Sequence, residues 1–248
     1  MWKWIKKYKD FNNLIIKSIL QTKKYKIGIW LYLRFNLDLF YIYFFNRVKF
    51  KTVKESYEKF CKKNLKISHN WFGNNAQILY FFFKKLKYFE NKISILEIGS
   101  FEGLSLLFYY HVFKKDNISV TSVDMLDRKS IFFKNFKKNT KKLKNFKFYN
   151  LKSNVFFKKK LKEKYDFIFI DGSHYYKDVI LDAKNSFKSL RKNGIIVFDD
   201  FVHDWTKKNL DNHPEFHNVI GGVLFFLSSI KNFRILYVGH QVIIQKTK

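Results

Sequence analysis

Eight carboxylates in the later part of this chain stand at or just beyond the ends of short apolar runs: Glu97, Glu102, Asp124, Asp127, Asp171, Asp199, Asp200 and Asp204. Solvated loop acids scatter, so a collection at strand ends implies something to bind. The first run ends in Leu96-Glu97-Ile98-Gly99-Ser100-Phe101-Glu102-Gly103-Leu104-Ser105. Gly99 permits a sharp turn and close backbone approach, and Gly103 and Ser105 open a helix whose free N–H groups suit an anionic group such as a carboxylate. The spacing is not the dinucleotide G-x-G-x-x-G. Asp124 ends the second run, where its carboxylate can accept hydrogen bonds from both hydroxyls of a ribose. Loop and acid together suggest an adenosine ligand without a pyrophosphate.

These residues need a parallel sheet to bring them together. The strands are expected at Ile93–Gly99, Ile118–Asp124, Phe146–Leu151, Tyr165–Asp171 and Gly194–Asp199, with helices over Gly103–Phe113, Lys129–Lys142, Asn154–Lys164 and Tyr175–Arg191. Strand and helix alternate, which is βαβ repetition. After a helical run around Phe216–Ile230 come Phe233–Val238 and Gln241–Gln245, joined by the tight turn Gly239–His240. Two strands so close must be antiparallel. The fold class is therefore α/β: Rossmann-like, doubly wound, a mostly parallel seven-stranded sheet ending in an antiparallel hairpin, with an N-terminal helical extension. The organisation is read as a basic, aromatic helical extension over 1–60, a helical lead-in over 61–92 and the ligand-binding domain over 93–248.

The chain has 248 residues, with Lys+Arg 49 against Asp+Glu 20 and a net charge of +29. That length buries one good-sized core but not two large domains. The single Cys61 closes no internal disulfide and builds no thiolate cluster, which points to a reducing, cytoplasmic setting. The charge invites a nucleic-acid reading. Against it, only Arg34, Arg47, Arg128, Arg191 and Arg234 carry the forked guanidinium that phosphate and base readers favour. The excess of Lys, Phe, Tyr, Asn and Ile follows the residues with A+T-rich codons. Nucleic acid is disfavoured as a partner. The most apolar stretch, Ile27 to Phe45, is broken by Arg34, Asn36 and Asp38 and is not read as a membrane span. Trp4, Tyr8, Phe11, Ile15 and Ile19 recur at helical spacing among lysines. That basic amphipathic helix either packs on its own domain or meets an anionic membrane surface or a second copy. No chemistry is expected of residues 1–60.

The glycine loop with Asp124 resembles motifs I and II of the class I S-adenosylmethionine-dependent methyltransferases. The likeness covers roughly residues 65–247. Its form is similar to the catechol-type, antibiotic and sugar O-methyltransferases and the cephalosporin-biosynthetic methyltransferase, through Phe169-Ile170-Asp171-Gly172-Ser173-His174-Tyr175-Tyr176 and Ile195-Ile196-Val197-Phe198-Asp199-Asp200-Phe201. The resemblance implies that Glu97, Gly99 and Ser105 surround the methionine end of S-adenosylmethionine, and that Ser100, Phe101 and Gly103 of the same loop also bind the cofactor. It places Asp124 at the ribose, Met125 on the adenine face, and Ser153 and Asn154 on the adenine side, with Asp171 nearby. Asp171, Asp199 and Asp200 match positions that hold a divalent cation. Their hard oxygens suit Mg²⁺ and include no soft zinc ligand. His174 stands where relatives carry a basic residue, and a histidine suits general-base work at neutral pH. His203 is the reserve base. The implied reaction is methyl transfer to a hydroxyl oxygen of a small molecule, a sugar or secondary metabolite. The alternatives are an RNA-directed methyltransferase and a non-catalytic binding module at a membrane or nucleic acid.

Other features weigh less. His213 and His217 have zinc-pair spacing, but no Glu follows His213 directly and Pro214 interrupts the turn. Trp71-Phe72 either walls an acceptor pocket or packs as an ordinary aromatic pair. A Pro-Pro pair after the fourth strand, common where a base amino group is methylated, is missing, and Cys61 precedes the sheet and cannot serve base-carbon methylation.

Overall fold

The central strands are apolar almost without interruption, as strands covered on both faces must be. A computed structural model describes residues 2–41, 51–73, 75–160, 162–202 and 218–248. Its strands are β1 Ile93–Ile98, β2 Ile118–Asp124, β3 Phe146–Asn150, β4 Tyr165–Ile170, β5 Leu190–Phe198, β6 Phe233–Val238 and β7 Val242–Lys246. They form one sheet in the order β3-β2-β1-β4-β5-β7-β6. Five strands run parallel, and β7 inserts antiparallel to both β5 and β6. The α/β class, the parallel sheet and the closing hairpin are as expected.

The helices are α1 Trp2–Thr22, α2 Tyr25–Tyr41, α3 Lys51–Asn64, α4 Asn75–Lys85, α5 Leu104–Val112, α6 Ile131–Thr140, α7 Ser153–Lys160, α8 Tyr176–Ser189 and α9 Val219–Ser229. Because side chains alternate along a strand, β1 sends Leu96 and Ile98 into one core and Ile93 and Ile95 into the other. The first core contains Phe156 of α7, Ala183 of α8 and Leu224 of α9; the second contains Tyr57 of α3, Phe83 of α4, Phe108 of α5 and Phe136 of α6. The chain leaves β1 for β2 on one side and reaches β4 on the other, so the carboxyl ends of β1 and β4 flank the crevice where such sheets bind ligands.

Helices α1 and α2 pack on each other, on α9 and, through α2, on β6. Leu14, Ile15, Ile19, Leu31 and Phe35 are buried in that contact. Arg34 donates to the Leu236 carbonyl at 3.1 Å, and Asp38 accepts the Val238 N–H at 2.9 Å. Leu20, Ile29, Trp30, Leu33 and Leu37 remain exposed on the outer side, where the expected membrane or self-association contact would fall. No helix among the described residues is long and apolar enough to cross a membrane. Several boundaries differ from expectation by a few residues, the most consequential at the α8–β5 junction. Helix α8 ends at Ser189 and β5 begins at once at Leu190, which pairs with Tyr165, whereas Arg191 was expected in the helix.

Candidate active site

The glycine loop is bent by residues in the left-handed region: Gly99 at φ 84°, Phe101 at 46° and Gly103 at 85°. Position 99 must be glycine, since a Cβ there would lie 1.9 Å from the carbonyl oxygen of Asp171. The bend is held from below by Asp124, whose Oδ2 accepts the N–H groups of Ser100 and Phe101, both at 2.8 Å. The Ser100 and Ser122 hydroxyls add a contact at 2.7 Å. One carboxylate oxygen thus fixes the loop. Gly103 caps α5 and faces Thr140 and Phe136 rather than the cleft.

Beyond the ends of β4 and β5 the acids expected to bind a cation come together. Asp199 is buried, accepting Asn75 Nδ2 at 2.6 Å on Oδ2 and both Gln241 Nε2 at 3.1 Å and the Asp200 N–H at 2.9 Å on Oδ1. Asp200 follows at φ 51°, a left-handed conformation unusual for a side-chain-bearing residue. His174 Nε2 lies 3.1 Å from Asp200 Oδ2 and 3.9 Å from Asp171 Oδ1. On the other flank His240 approaches Asp199 through Nδ1 and Asp200 through Nε2, both at 3.8 Å. The Asp171 carboxyl is held well above the usual range, by burial in the cleft wall and then by the charges of Asp199, Asp200, Glu97 and Asp124. Its side chain is still 37% exposed to the cleft, where those like charges act on it. Asp171, His174 and Asp200 form one donor group within mutual reach, and Asp199, Asp200 and His240 a second. A carboxyl raised by charged neighbours in this way fits a site for a divalent cation.

Glu97 lies behind this layer with no exposed surface, and burial pushes its carboxyl up to about 8; the Ser105 and Tyr109 hydroxyls pull it down, and Asp124 and Asp199 push it further up. It touches the cleft only through its neighbours. Glu102 is equally buried but structural. It accepts the Ser68 N–H and Asn135 Nδ2, both at 2.7 Å, which ties the segment before α4 across the glycine loop. Asp127 caps the turn into α6 by accepting the Lys129 N–H. Asp204, His203, His213, Pro214 and His217 lie outside the described residues.

The loop and the acids open on a single cleft of about 1360 Å³, larger than the usual ~300–1,000 Å³ of a one-ligand site. Ser100, Phe101, Ser105, Asp124, Met125, Ser153, Asn154, Asp171, His174, Asp199 and Asp200 all line it. Glu97 and Gly103 do not. Trp71 is 67% exposed at the mouth, stacked between His69 at 5.0 Å and Phe101 at 4.7 Å, while Phe72 is buried against Tyr57 and Phe108. The aromatic pair thus divides between wall and core. Tyr8 and Phe11 of α1 also reach the cleft, a wall the sequence reading did not anticipate. Asn75, His240 and Gln241 were missed as well.

Residues 96–201 match a protein family described as a methyltransferase domain. An uncharacterized protein of Acanthamoeba polyphaga mimivirus is 30% identical over 146 residues, covering 54% of this chain and 64% of that protein. The chain therefore spans less than two thirds of that relative's length. Among solved structures, the O-methyltransferase from Bacillus cereus in complex with S-adenosylhomocysteine superposes with a TM-score of 0.56 at 16% identity, over 88% of this chain and 100% of that one. The O-methyltransferase TomG from Streptomyces achromogenes, solved with S-adenosylmethionine, gives 0.53 at 15% identity over 87% and 97%. MycE of the mycinamycin biosynthetic pathway, solved with Mg, S-adenosylhomocysteine and mycinamycin VI, gives 0.56 at 15% identity over 79% and 54%. At these identities the superpositions speak for the fold. The matched domain over residues 96–201 and the strand order 3-2-1-4-5-7-6 agree with that fold.

Proposed function

We propose that the cleft binds S-adenosylmethionine and that the protein transfers its methyl group to a hydroxyl oxygen of a small molecule, with a divalent cation such as Mg²⁺ held by Asp171, Asp199 and Asp200. The observation that carries this reading is the meeting of Asp171 and Asp200 with His174, and of Asp199 with Asp200 and His240, beside the glycine loop. Asp124 turns Oδ2 to the loop and offers its other oxygen to the ribose. The Gly99–Ser105 turn takes the methionine end, and Met125, Ser153 and Asn154 border the adenine. The bound cation would lower the pKa of an acceptor hydroxyl and stabilise charge on its oxygen. His174 supplies the base. Its Nε2 faces Asp200, so the tautomer that donates there leaves the Nδ1 lone pair to take the hydroxyl proton. The acceptor oxygen then bonds to the methyl carbon as the carbon–sulfur bond breaks. Holding oxygen and methyl in line supplies roughly 7–11 kcal/mol of the barrier.

Charge inside the cleft speaks to the substrate. Among the described residues, seven carboxylates line it against a single lysine, Lys152. That lining attracts a sulfonium cofactor and repels a polyphosphate chain, so the surplus of lysine elsewhere does not favour RNA. The test is calorimetric titration with S-adenosylmethionine, with and without Mg²⁺, followed by transfer of labelled methyl to a panel of small hydroxyl compounds. Saturable binding and chelator-sensitive labelling support the reading. Absence of cofactor binding by folded protein overturns it, and full transfer in excess chelator removes the cation.

A further inference from the structure

Helix α2 spends its polar side chains on the protein and leaves apolar ones outside. Beyond Lys26 its charged residues turn inward, Arg34 to the Leu236 carbonyl and Asp38 to the Val238 N–H of β6, and Asn36 Nδ2 donates to Asn12 Oδ1 of α1 at 3.2 Å. Leu31 and Phe35 are fully buried on that side. The opposite side carries Ile29, Trp30, Leu33 and Leu37, each between 44% and 67% exposed. Spaced four residues apart, Ile29, Leu33 and Leu37 form one stripe with Trp30 beside it. A helix apolar on every side is ordinarily covered on every side. Helix α1 cannot supply the cover, because its own amphipathic face, with Ile15 and Ile19, is already buried against the domain.

The charge around the stripe identifies what would cover it. Leu20 near the end of α1 is 60% exposed, and Lys23 and Lys26 stand exposed between it and the stripe. The only acids in α1 and α2 are Asp10 and Asp38. Asp10 is half-buried, and Asp38 is paired with Arg34 at 2.9 Å. Two copies meeting through this face would set the same lysines against each other, which opposes association. An anionic bilayer meets them with opposite charge, and each lysine close to such a surface strengthens binding about fivefold. A tryptophan beside aliphatic side chains suits the boundary between headgroups and acyl chains. No helix among the described residues is long and apolar enough to cross a membrane, so such a contact lies on the surface.

We propose that the outer face of α1 and α2 docks this protein on an anionic lipid surface, with Trp30, Leu33 and Leu37 entering the acyl boundary and Lys23 and Lys26 meeting lipid phosphates. The inference is independent of the methyl-transfer reading and uses no residue of the cleft.

The experiment sediments the full chain with phosphatidylcholine vesicles, with and without about one third phosphatidylglycerol, and measures quenching of tryptophan by lipids brominated on the acyl chains. Wild type should bind the mixed vesicles at least about tenfold more tightly than the neutral ones. The double change Leu33→Ser, Leu37→Ser keeps every charge and should weaken binding by at least about tenfold. Lys23→Gln with Lys26→Gln should weaken it by about 25-fold. Trp30→Phe keeps a ring beneath the Arg34 guanidinium, which lies 5.8 Å from the indole, and should bind but lose bromolipid quenching. Circular dichroism checks each fold, and if the serine variant misfolds the quenching of Trp30 decides. Binding that the serine variant leaves unchanged is adsorption by the net charge of +29 and overturns the proposal, as does quenching that survives intact in Trp30→Phe. A dimer in light scattering that the serine variant abolishes, without vesicle binding by wild type, assigns the stripe to a second copy and overturns it too.

Discussion

Replacing Asp124 should act on two properties at once, because its carboxylate is both a support of the glycine loop and the proposed ribose contact. In Asp124→Ala the N–H groups of Ser100 and Phe101 lose an acceptor held at 2.8 Å. Bonds to a charged group contribute about 1.5–3 kcal/mol each when fully lost. Asp124 is only half-buried, and water can replace part of what is removed, so a total near 2–3 kcal/mol is expected. For a chain of this length that is roughly 5–10 °C in Tm. Loss of the ribose contact should weaken S-adenosylhomocysteine by a further ~1–3 kcal/mol, or about 5- to 150-fold. Asp124→Asn separates the effects. One amide oxygen can still accept both N–H groups at neutral strength, so stability should fall by only about half as much. The assays are thermal unfolding without ligand and calorimetric titration. A folded Asp124→Ala protein with unchanged Tm refutes the support role, and one with lowered Tm but unchanged affinity refutes the ribose role.

His174→Ala should lower turnover by roughly 10²–10⁴-fold while leaving cofactor affinity intact, measured by labelled-methyl transfer and titration; near-normal turnover would pass the base role elsewhere. Glu97 makes a prediction about pH. Its folded-state pKa of about 8 lies above the ordinary 4.5, so between those values the native state holds a proton that the unfolded chain has released. Stability without ligand should therefore fall as pH rises through that window, by up to about 1.4 kcal/mol per pH unit, and Glu97→Gln should flatten the fall in urea unfolding series. A wild-type profile no steeper than that of Glu97→Gln would contradict it. Gly99→Ala should give little folded protein on expression, since its Cβ meets Asp171 backbone at 1.9 Å. Finally, the double change Arg34→Ala, Asp38→Ala uncovers the outer edge of β6 and should produce concentration-dependent assembly in light scattering.

Much of the sheet was legible because its strands are apolar runs ending in acids; β2 runs Ile118–Asp124 as read. The α8–β5 junction was not. Arg191, Lys192 and Asn193 look like the polar end of a helix, yet Leu190 already pairs in the sheet and Asn193 turns at φ 64°. The acids of the candidate site were readable, but their companions were not. Asn75 comes from α4, far from any motif, and reaches Asp199 only through tertiary packing. His240 and Gln241 had a usable signal. The hairpin was recognised, and once β7 is placed beside β5 the antiparallel register Phe198 with Val242 carries on to set Gln241 by Asp199 and His240 by Asp200. Which strand a hairpin joins is a long-range choice, and local pattern does not state it.

The clamp of Arg34 and Asp38 on β6 joins residues 202 and 200 positions apart. During synthesis α1 and α2 emerge long before α9 and β6, the surfaces that cover Leu14, Ile19, Leu31 and Phe35. At roughly 5–20 residues per second, that is a wait on the order of 10–40 s with an apolar helical pair uncovered. The lysines spaced along α1 and its loop to α2 would keep the nascent pair in solution by mutual repulsion during that interval. Docking of the N-terminal helices then waits on α9 and β6, and a chain cut short before α9 would leave the apolar faces of α1 and α2 uncovered.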